Sequence, residues 1–479
     1  MENLKEKAAH GLLWSGIANG LQQVLNLVFG IIIARKLGPS EYGLVGMLTV
    51  FSAIAGTLQE GGFISALNKR ETVTRDDYNS VFWFNTLVSV TLYAVLFLCA
   101  PLIARFYGEP ELVPLARYLF LGFVITSLNI VPRAYMFREL RVKENSLIIL
   151  AAQFVSGCAG VAVAWNGFAY WGIASQTIIY VAVITLLCYW RTGWRPSPNF
   201  SFGPVREMLG FSSKLIATNV CTTLNQHLFS VLLGRYYTKV EVGNFSQANK
   251  WNYMGHVTLT NMLWNVAQPV FARTDTEPER QRAVFRKLLR FTAFLAFPAM
   301  FGLSLISKEL IVLAIGDKWI GAAAVMQLLC FWGAFVPVQG NFSNLLIARG
   351  QSGTYLWCTV ALVVCVLCAA VGMHPYGMTS MLRAFVFINV GWTFVWHWFV
   401  RKEIGLSLTD MLRDIAPYLL LSAALCSAAH FLTAGISNLW LTLALKVTGV
   451  TAAYTLVLWL SGSVILRESA SFIFKRHIS

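Results

Sequence analysis

Ala34-Arg35-Lys36-Leu37-Gly38-Pro39-Ser40-Glu41-Tyr42-Gly43 has a counterpart 200 residues further on, Gly234-Arg235-Tyr236-Tyr237-Thr238-Lys239-Val240-Glu241-Val242-Gly243. Arg35 and Arg235, Glu41 and Glu241, and Gly43 and Gly243 coincide in place, and one helix earlier Asn19 falls on Asn219 and Phe29 on Phe229. Each copy joins one long apolar run to the next. A run of roughly 20 apolar residues is enough to cross the hydrocarbon of a bilayer. The chain therefore reads as two related segments that open with the same pair of spans.

Working outward from the motif, such runs fall near 12–34, 42–66, 80–104, 112–132, 145–165, 168–190, 209–233, 243–270, 288–307, 322–347, 354–373, 377–400, 413–434 and 439–465. That predicts an all-α membrane protein of about fourteen transmembrane helices. The first run is too long for a signal-peptide core and lacks a small-residue cleavage site, so it reads as the first span. Two parallel repeats of six spans each, plus two further helices, follow from the motif. The expected division is 1–195 for the first lobe, 196–403 for the second, and 404–479 for the appended helices and tail. No connection is long enough for a soluble domain, and no Walker A lysine loop is present.

Composition agrees. Of 479 residues 57% are hydrophobic and 12% charged, with a mean hydropathy of +0.61, whereas a soluble domain carries roughly a quarter charged residues. The net charge of +15 would suggest nucleic acid in a soluble protein. Here it falls in loops and excludes that partner. With the N-terminus inside, 26 of the 37 Lys and Arg lie in inside loops, 7 in outside loops and 4 within spans. Such a bias places both termini in the cytoplasm. The nine cysteines lie in or beside apolar runs, Cys365 and Cys368 included, and imply neither disulfides nor a metal. No cofactor is expected. His227, His256, His374, His397 and His430 show no ligand spacing and read as packing or interfacial groups.

Polar residues recur inside the spans. Ser15, Asn19, Gln22 and Asn26 follow one face of the first helix, with Gln23 at its edge, and Asn219, Thr222, Gln226 and Ser230 repeat that face in the seventh. Two readings stand: hydrogen bonds between helices, with Gly16 and Gly20 allowing close packing, or the lining of a hydrated cavity between the repeats. Charges weigh more, since an ionised group at mid-bilayer costs about 2.5–3.5 kcal/mol. Lys250 in the eighth span shares a face with Asn261, Asn265 and Gln268, within about 60° at 3.6 residues per turn. Arg383 lies six residues beyond Gly377 in the twelfth span, and Glu60 beside Gln59 in the second. Each could instead snorkel to a boundary. The functional reading is a cationic cavity for a phosphate or pyrophosphate, with Glu60 as an ion-coupling group.

The motifs resemble a family. Gly11-Leu12-Leu13-Trp14-Ser15 followed by the Ala34–Gly43 stretch is similar to the opening of bacterial polysaccharide exporters of the Wzx flippase type. These belong to a superfamily with multidrug extruders and lipid II flippases. Val242-Gly243-Asn244-Phe245-Ser246-Gln247-Ala248, Gln268-Pro269-Val270-Phe271-Ala272-Arg273, Ile315-Gly316-Asp317-Lys318-Trp319 and Ala348-Arg349-Gly350-Gln351 extend the resemblance over nearly the whole chain. Lys250 follows the family's eighth-helix motif, while Met378-Thr379-Ser380 ahead of Arg383 is matched to none.

The resemblance implies translocation of an undecaprenyl-pyrophosphate-linked oligosaccharide across the inner membrane for O-antigen, capsule or exopolysaccharide synthesis, by alternating access and without catalysis. Implied partners are that lipid-linked oligosaccharide, membrane lipids, and the polysaccharide polymerase and glycosyltransferases of the same pathway. The runner-up activities are cation-coupled multidrug antiport on the same fold, which would favour inward carboxylates, and a membrane-embedded glycosyl transferase or polymerase, which would need a catalytic carboxylate or a large surface loop.

Overall fold

The computed structural model describes residues 2–60, 73–139, 141–198, 200–203, 219–220, 223–224, 227–273, 277–463 and 465–466, with side chains at all of these but 2–13, 15, 60, 264–266, 268–269, 272–273 and 278. Every regular element among the described residues is helical. Six helices open the chain: α1 (Glu2–Lys36), α2 (Pro39–Glu60), α3 (Arg75–Tyr107), α4 (Leu112–Arg138), α5 (Val142–Trp165) and α6 (Trp171–Thr192). In α7 the described residues 227–236 are helical. Then come α8 (Lys239–Arg273), α9 (Pro278–Leu305), the short α10 (Ser307–Ile315), α11 (Ile320–Ala348), α12 (Ser352–Met373), α13 (Met378–Ile404), α14 (Leu408–Thr433) and α15 (Leu439–Leu460).

Among the described residues twelve helices are long and apolar enough to span a membrane, six before α7 and six after α8. The protein is a multi-pass membrane protein. The predicted seventh span, 209–233, lies mostly outside the described residues. The eighth exists as the 35-residue α8, but its many amides and Lys250 keep it below the hydropathy of the twelve. The structure also starts α9 ten residues before the predicted 288. The added turns are charged, and hydropathy alone stops where the apolar run stops.

The chain forms two compact units, Met1–Gly243 and Asn244–Ser479. In the first, α3 begins at a capping box, where the Thr74 hydroxyl accepts from the Asp77 N–H (3.2 Å) and the Asp77 carboxylate accepts from the Thr74 N–H (2.8 Å). Tyr78, Val81 and Phe82 of α3 pack on Val131 and Ala134 of α4, with Trp194 closing the cluster. Met136, Ile148, Ala152, Ile184 and Cys188 join α4, α5 and α6. Some buried polar groups pair across helices: Asn129 donates to Thr185 (3.1 Å) and Gln59 donates to the Phe123 carbonyl (2.6 Å). In a low-dielectric interior each such bond avoids the 1–3 kcal/mol or so of an unsatisfied polar group.

This unit also explains the repeated motif. Glu41 accepts from the Gly38 N–H (3.0 Å) and the Ser40 hydroxyl (2.8 Å) at the start of α2, and Glu241 accepts from the Thr238 N–H (2.9 Å) and hydroxyl (3.0 Å) at the start of α8. Both glutamates satisfy donors that a helix start leaves open. The glycines serve a reciprocal contact, in which a Cβ at Gly43 would collide with the Lys239 carbonyl and one at Gly243 with the Pro39 carbonyl. Arg235 donates to the Phe106 carbonyl (3.0 Å). The repeated Glu and Gly are thus caps and a close crossing, and Arg235 is a tether.

In the second unit, α9 and α11 share a core of Phe285, Phe297, Met300, Met326 and Phe342, all fully buried. The turns of α9 missed by hydropathy present Arg282, Arg286 and Arg290 on one face. They interleave with Asp410 and Asp414 of α14: Arg282 pairs with Asp410, Arg286 with Asp410 (3.0 Å) and Asp414 (2.7 Å), and Arg290 with Asp414 (3.4 Å). Elsewhere in the unit Lys446 of α15 pairs with Glu309 of α10 at 2.6 Å, and Tyr454 of α15 donates to the Phe294 carbonyl of α9 (2.9 Å). The two appended helices belong to this unit at both ends.

Candidate functional site

Helix α1 has three faces. Ala18, Phe29 and Ile33 are buried, and Ile17, Leu21, Val24 and Val28 form an exposed apolar stripe. The polar residues lie about 180° from that stripe at 100° per residue: Asn19 and Gln23 are exposed, Gln22 and Asn26 half-buried. An apolar stripe meets lipid, so the opposite polar face is turned away from it. Of the two readings of this stripe, interhelical bonding holds at Gln22, whose amide reaches the Tyr180 hydroxyl of α6 at 3.5 Å. Among the described residues, a Cβ at Gly16 or Gly20 would meet nothing within 4 Å. Asn219 is exposed. Gln226 and Thr222 lie outside the described residues, as do the side chains of Ser15 and Glu60.

In the second unit α8 carries the cation. Lys250 is exposed and, among the described residues, has no hydrogen-bond or ion-pair partner. It lies eleven residues into α8, about 16 Å from the start and over 30 Å from the end at 1.5 Å per residue. Asn261, also exposed, lies about 20° from it around the helix. The apolar side of α8 is elsewhere: Leu259, Met262 and Leu263 line an apolar crevice with Leu288, Phe291 and Leu295 of α9. Those three residues sit about 120–220° round from Lys250. The side chains of Asn265 and Gln268 lie outside the described ones.

Arg383 is placed differently. It is exposed on α13, but within about 60° of it stand Phe387, Phe394 and Trp398, exposed by 81%, 53% and 51%. Arg383 lies less than two turns from the start of α13, where a long side chain on such a stripe can snorkel. Of the cations singled out by sequence, only Lys250 shares its face with an exposed amide rather than with bare hydrocarbon.

Two features escaped sequence reasoning. Behind the Lys250 face, Tyr253 makes an edge contact with His256 (5.6 Å), His256 lies 6.4 Å from Trp332 of α11, and Trp332 lies 5.1 Å from Phe385 of α13. Tyr253 stands at i+3 from Lys250, so the signal was available. The rings behind His256, 79 and 132 residues beyond Tyr253, were not. The other is the Glu309–Lys446 pair, whose lysine was legible only as a charge near a helix end. Among the described residues no three His, Cys, Asp or Glu side chains are placed to hold a metal. On one side of α8 stand an exposed ammonium, an exposed amide and an exposed aromatic residue, Lys250, Asn261 and Tyr253.

Comparison with known proteins follows the same direction. The chain is 29% identical over 358 residues to the lipopolysaccharide biosynthesis protein WzxC of Escherichia coli (strain K12), covering 73% of this chain and 71% of that one. It is 23% identical to the teichuronic acid biosynthesis protein TuaB of Bacillus subtilis (strain 168), covering 89% of each. Its fold is that of the lipid II flippase MurJ in an inward closed conformation, at 14% identity, with a TM-score of 0.76 over 98% of this chain and 100% of that one. A family model described as polysaccharide biosynthesis protein matches residues 32–324, and the chain is therefore a member of that polysaccharide biosynthesis protein family.

Proposed function

We propose that the protein moves a lipid-linked oligosaccharide, with a pyrophosphate between lipid and sugar, from the cytoplasmic to the outer leaflet of a bacterial inner membrane for surface polysaccharide synthesis. Lys250 carries this reading. An ammonium without a partner among the described residues, exposed deep within a long helix on the side away from lipid, is retained at a cost of about 2.5–3.5 kcal/mol, which an anionic cargo offsets. Its lone charge would hold the pyrophosphate as a point cation, and the amides Asn19, Asn26, Asn219, Gln226 and Asn261 would meet sugar hydroxyls. Both termini would be cytoplasmic, from the loop charge bias. The two sequence repeats would open the site alternately to either face, with the pathway's polymerase and glycosyltransferases receiving and supplying the cargo. Arg383 would serve at the boundary, and Glu60 would be the ion-coupling group. The work done is transport, with no bond made or broken.

The test deletes the gene in its host and analyses surface polymer together with lipid-linked oligosaccharides, then complements with variants. Loss of polymer with undecaprenyl-linked repeats trapped on the cytoplasmic face is expected. Lys250→Ala at normal expression should fail to complement, and Lys250→Arg should restore part of the export. Wild-type export by Lys250→Ala would sink the pyrophosphate role, and unchanged polymer in the deletion with altered sensitivity to cationic drugs would replace flipping by drug antiport.

A further inference from the structure

We propose that Tyr253 is a carbohydrate-stacking platform that selects the sugar attached next to the phosphate of the cargo. This deepens the reading of Lys250 as the anion-holding residue and rests on it. Tyr253 follows Lys250 by three residues, about 4.5 Å along α8 and 60° around it. The residue is 54% exposed and borders the side marked as aqueous by exposed Lys250 and Asn261, while the apolar side of α8 at Leu259, Met262 and Leu263 faces the α9 crevice.

Tyrosines at a bilayer surface form interfacial belts, but this one does not lie there. It stands fourteen residues, about 21 Å, from the start of α8 and twenty residues, about 30 Å, from its end. An exposed tyrosine at that depth, beside a lysine with no partner among the described residues, calls for an occupant.

The ring is also held still. Its edge contact at 5.6 Å is with His256, which is 7% exposed. Behind His256 stand Trp332 at 6.4 Å and, beyond it, Phe385 at 5.1 Å from Trp332, so rings from α8, α11 and α13 brace Tyr253 from the rear. Close helix contacts fix the same stretch: Gly255 admits Met300 and Leu303 of α9, and Gly333 of α11 admits the Asn252 carboxamide. An aromatic face fixed by buried neighbours loses little conformational entropy on binding. A pyranose presents a face of C–H bonds that stacks on such a ring while its hydroxyls turn to water and to amides. The π-face is electron-rich and the axial C–H bonds are its complement. A sugar held there would lie one residue's reach from an anion held by Lys250, the spacing of a glycosyl phosphate. Because the stacked face depends on which hydroxyls are axial, the ring discriminates between sugars.

The experiment measures transport of the host's own lipid-linked oligosaccharide into reconstituted vesicles for wild type, Tyr253→Phe, Tyr253→Trp, Tyr253→Leu and Tyr253→Gln. A synthetic polyprenyl-pyrophosphate carrying a different first sugar serves as competitor. Loss of one aromatic stack, about 1 kcal/mol, predicts a five- to tenfold rise in KM for Tyr253→Leu and Tyr253→Gln with kcat changed less than twofold. Discrimination between the two lipids should fall by a similar factor, and Tyr253→Phe and Tyr253→Trp should stay within about twofold of wild type. Two non-aromatic variants keep the test independent of the folding of either. Wild-type KM and discrimination in Tyr253→Gln or Tyr253→Leu, where Lys250→Ala fails to transport, would overturn the stacking role alone. A Tyr253→Phe variant as impaired as Tyr253→Leu would overturn it too, assigning the effect to the hydroxyl. Normal polymer in the deletion strain removes the cargo itself and with it both readings.

Discussion

Glu109 and Glu309 stand 200 residues apart, at matching points of the two repeats, and each takes a lysine, yet the two ion pairs have little in common. In the first repeat α3 ends at Gly108, whose φ of 74° turns the backbone out of the helix. Glu109 therefore sits in an open turn, meets Lys239 at 3.0 Å, and both side chains keep a quarter to a third of their exposure. In the second repeat position 308 is lysine, the chain runs on as α10, and Glu309 faces α15. Its partner Lys446 lies at 2.6 Å, and the two are 6% and 7% exposed. Lys446 also donates to the Leu305 carbonyl (3.3 Å), and the second carboxylate oxygen of Glu309 has no hydrogen-bond partner among the described residues. The same two functional groups make a screened surface contact in one place and a desolvated pair in the other. What differs is one glycine and the presence of α15, which has no counterpart in the first repeat.

The largest effect should come from breaking the buried pair on one side. Lys446→Ala leaves the Glu309 carboxylate desolvated and alone, and a loss of about 3–5 kcal/mol is expected, read as a fall of the unfolding midpoint in detergent. A shift as small as that of a surface pair would show that water reaches Glu309. Replacing both partners with apolar groups, Glu309→Leu with Lys446→Met, should recover most of that loss, because the charges and their desolvation leave together. Failure to recover would mean that the pair fixes the seat of α15 through geometry that packing cannot replace. Lys239→Ala should have the smallest effect, about 0–1 kcal/mol, and the difference from wild type should shrink further between low salt and 0.5 M salt. The buried pair should show no such salt dependence, so the two lysines are separated by this one titration.

The same contrast explains how much could be read in advance. Spans were legible because burial in hydrocarbon demands about 20 apolar residues in a row, and Lys250 with Asn261 because a helix repeats its face every 3.6 residues. The start of α9 was not, since Arg282, Arg286 and Arg290 look like loop charges until Asp410 and Asp414 are brought beside them. Arg383 and Lys250 looked alike in sequence. Phe387, Phe394 and Trp398 on the face of one, and an exposed amide on the face of the other, set them apart. The repeated Glu and Gly were found as identities and turned out to be helix caps and a crossing of two backbones, while Arg235 is a tether.

Sequence by itself determined that the protein is helical and lies in a membrane, that one motif recurs 200 residues along the chain, and that one polar helix carries a lysine deep inside it. These follow from local rules of hydropathy and period, which act over one or two turns. Tertiary structure alone decided which charges are buried, which glycines touch and which rings stand behind Tyr253. Those depend on contacts between residues 50 to 200 positions apart, where the dielectric and the packing around a side chain are set by helices that its own neighbours in sequence do not reveal.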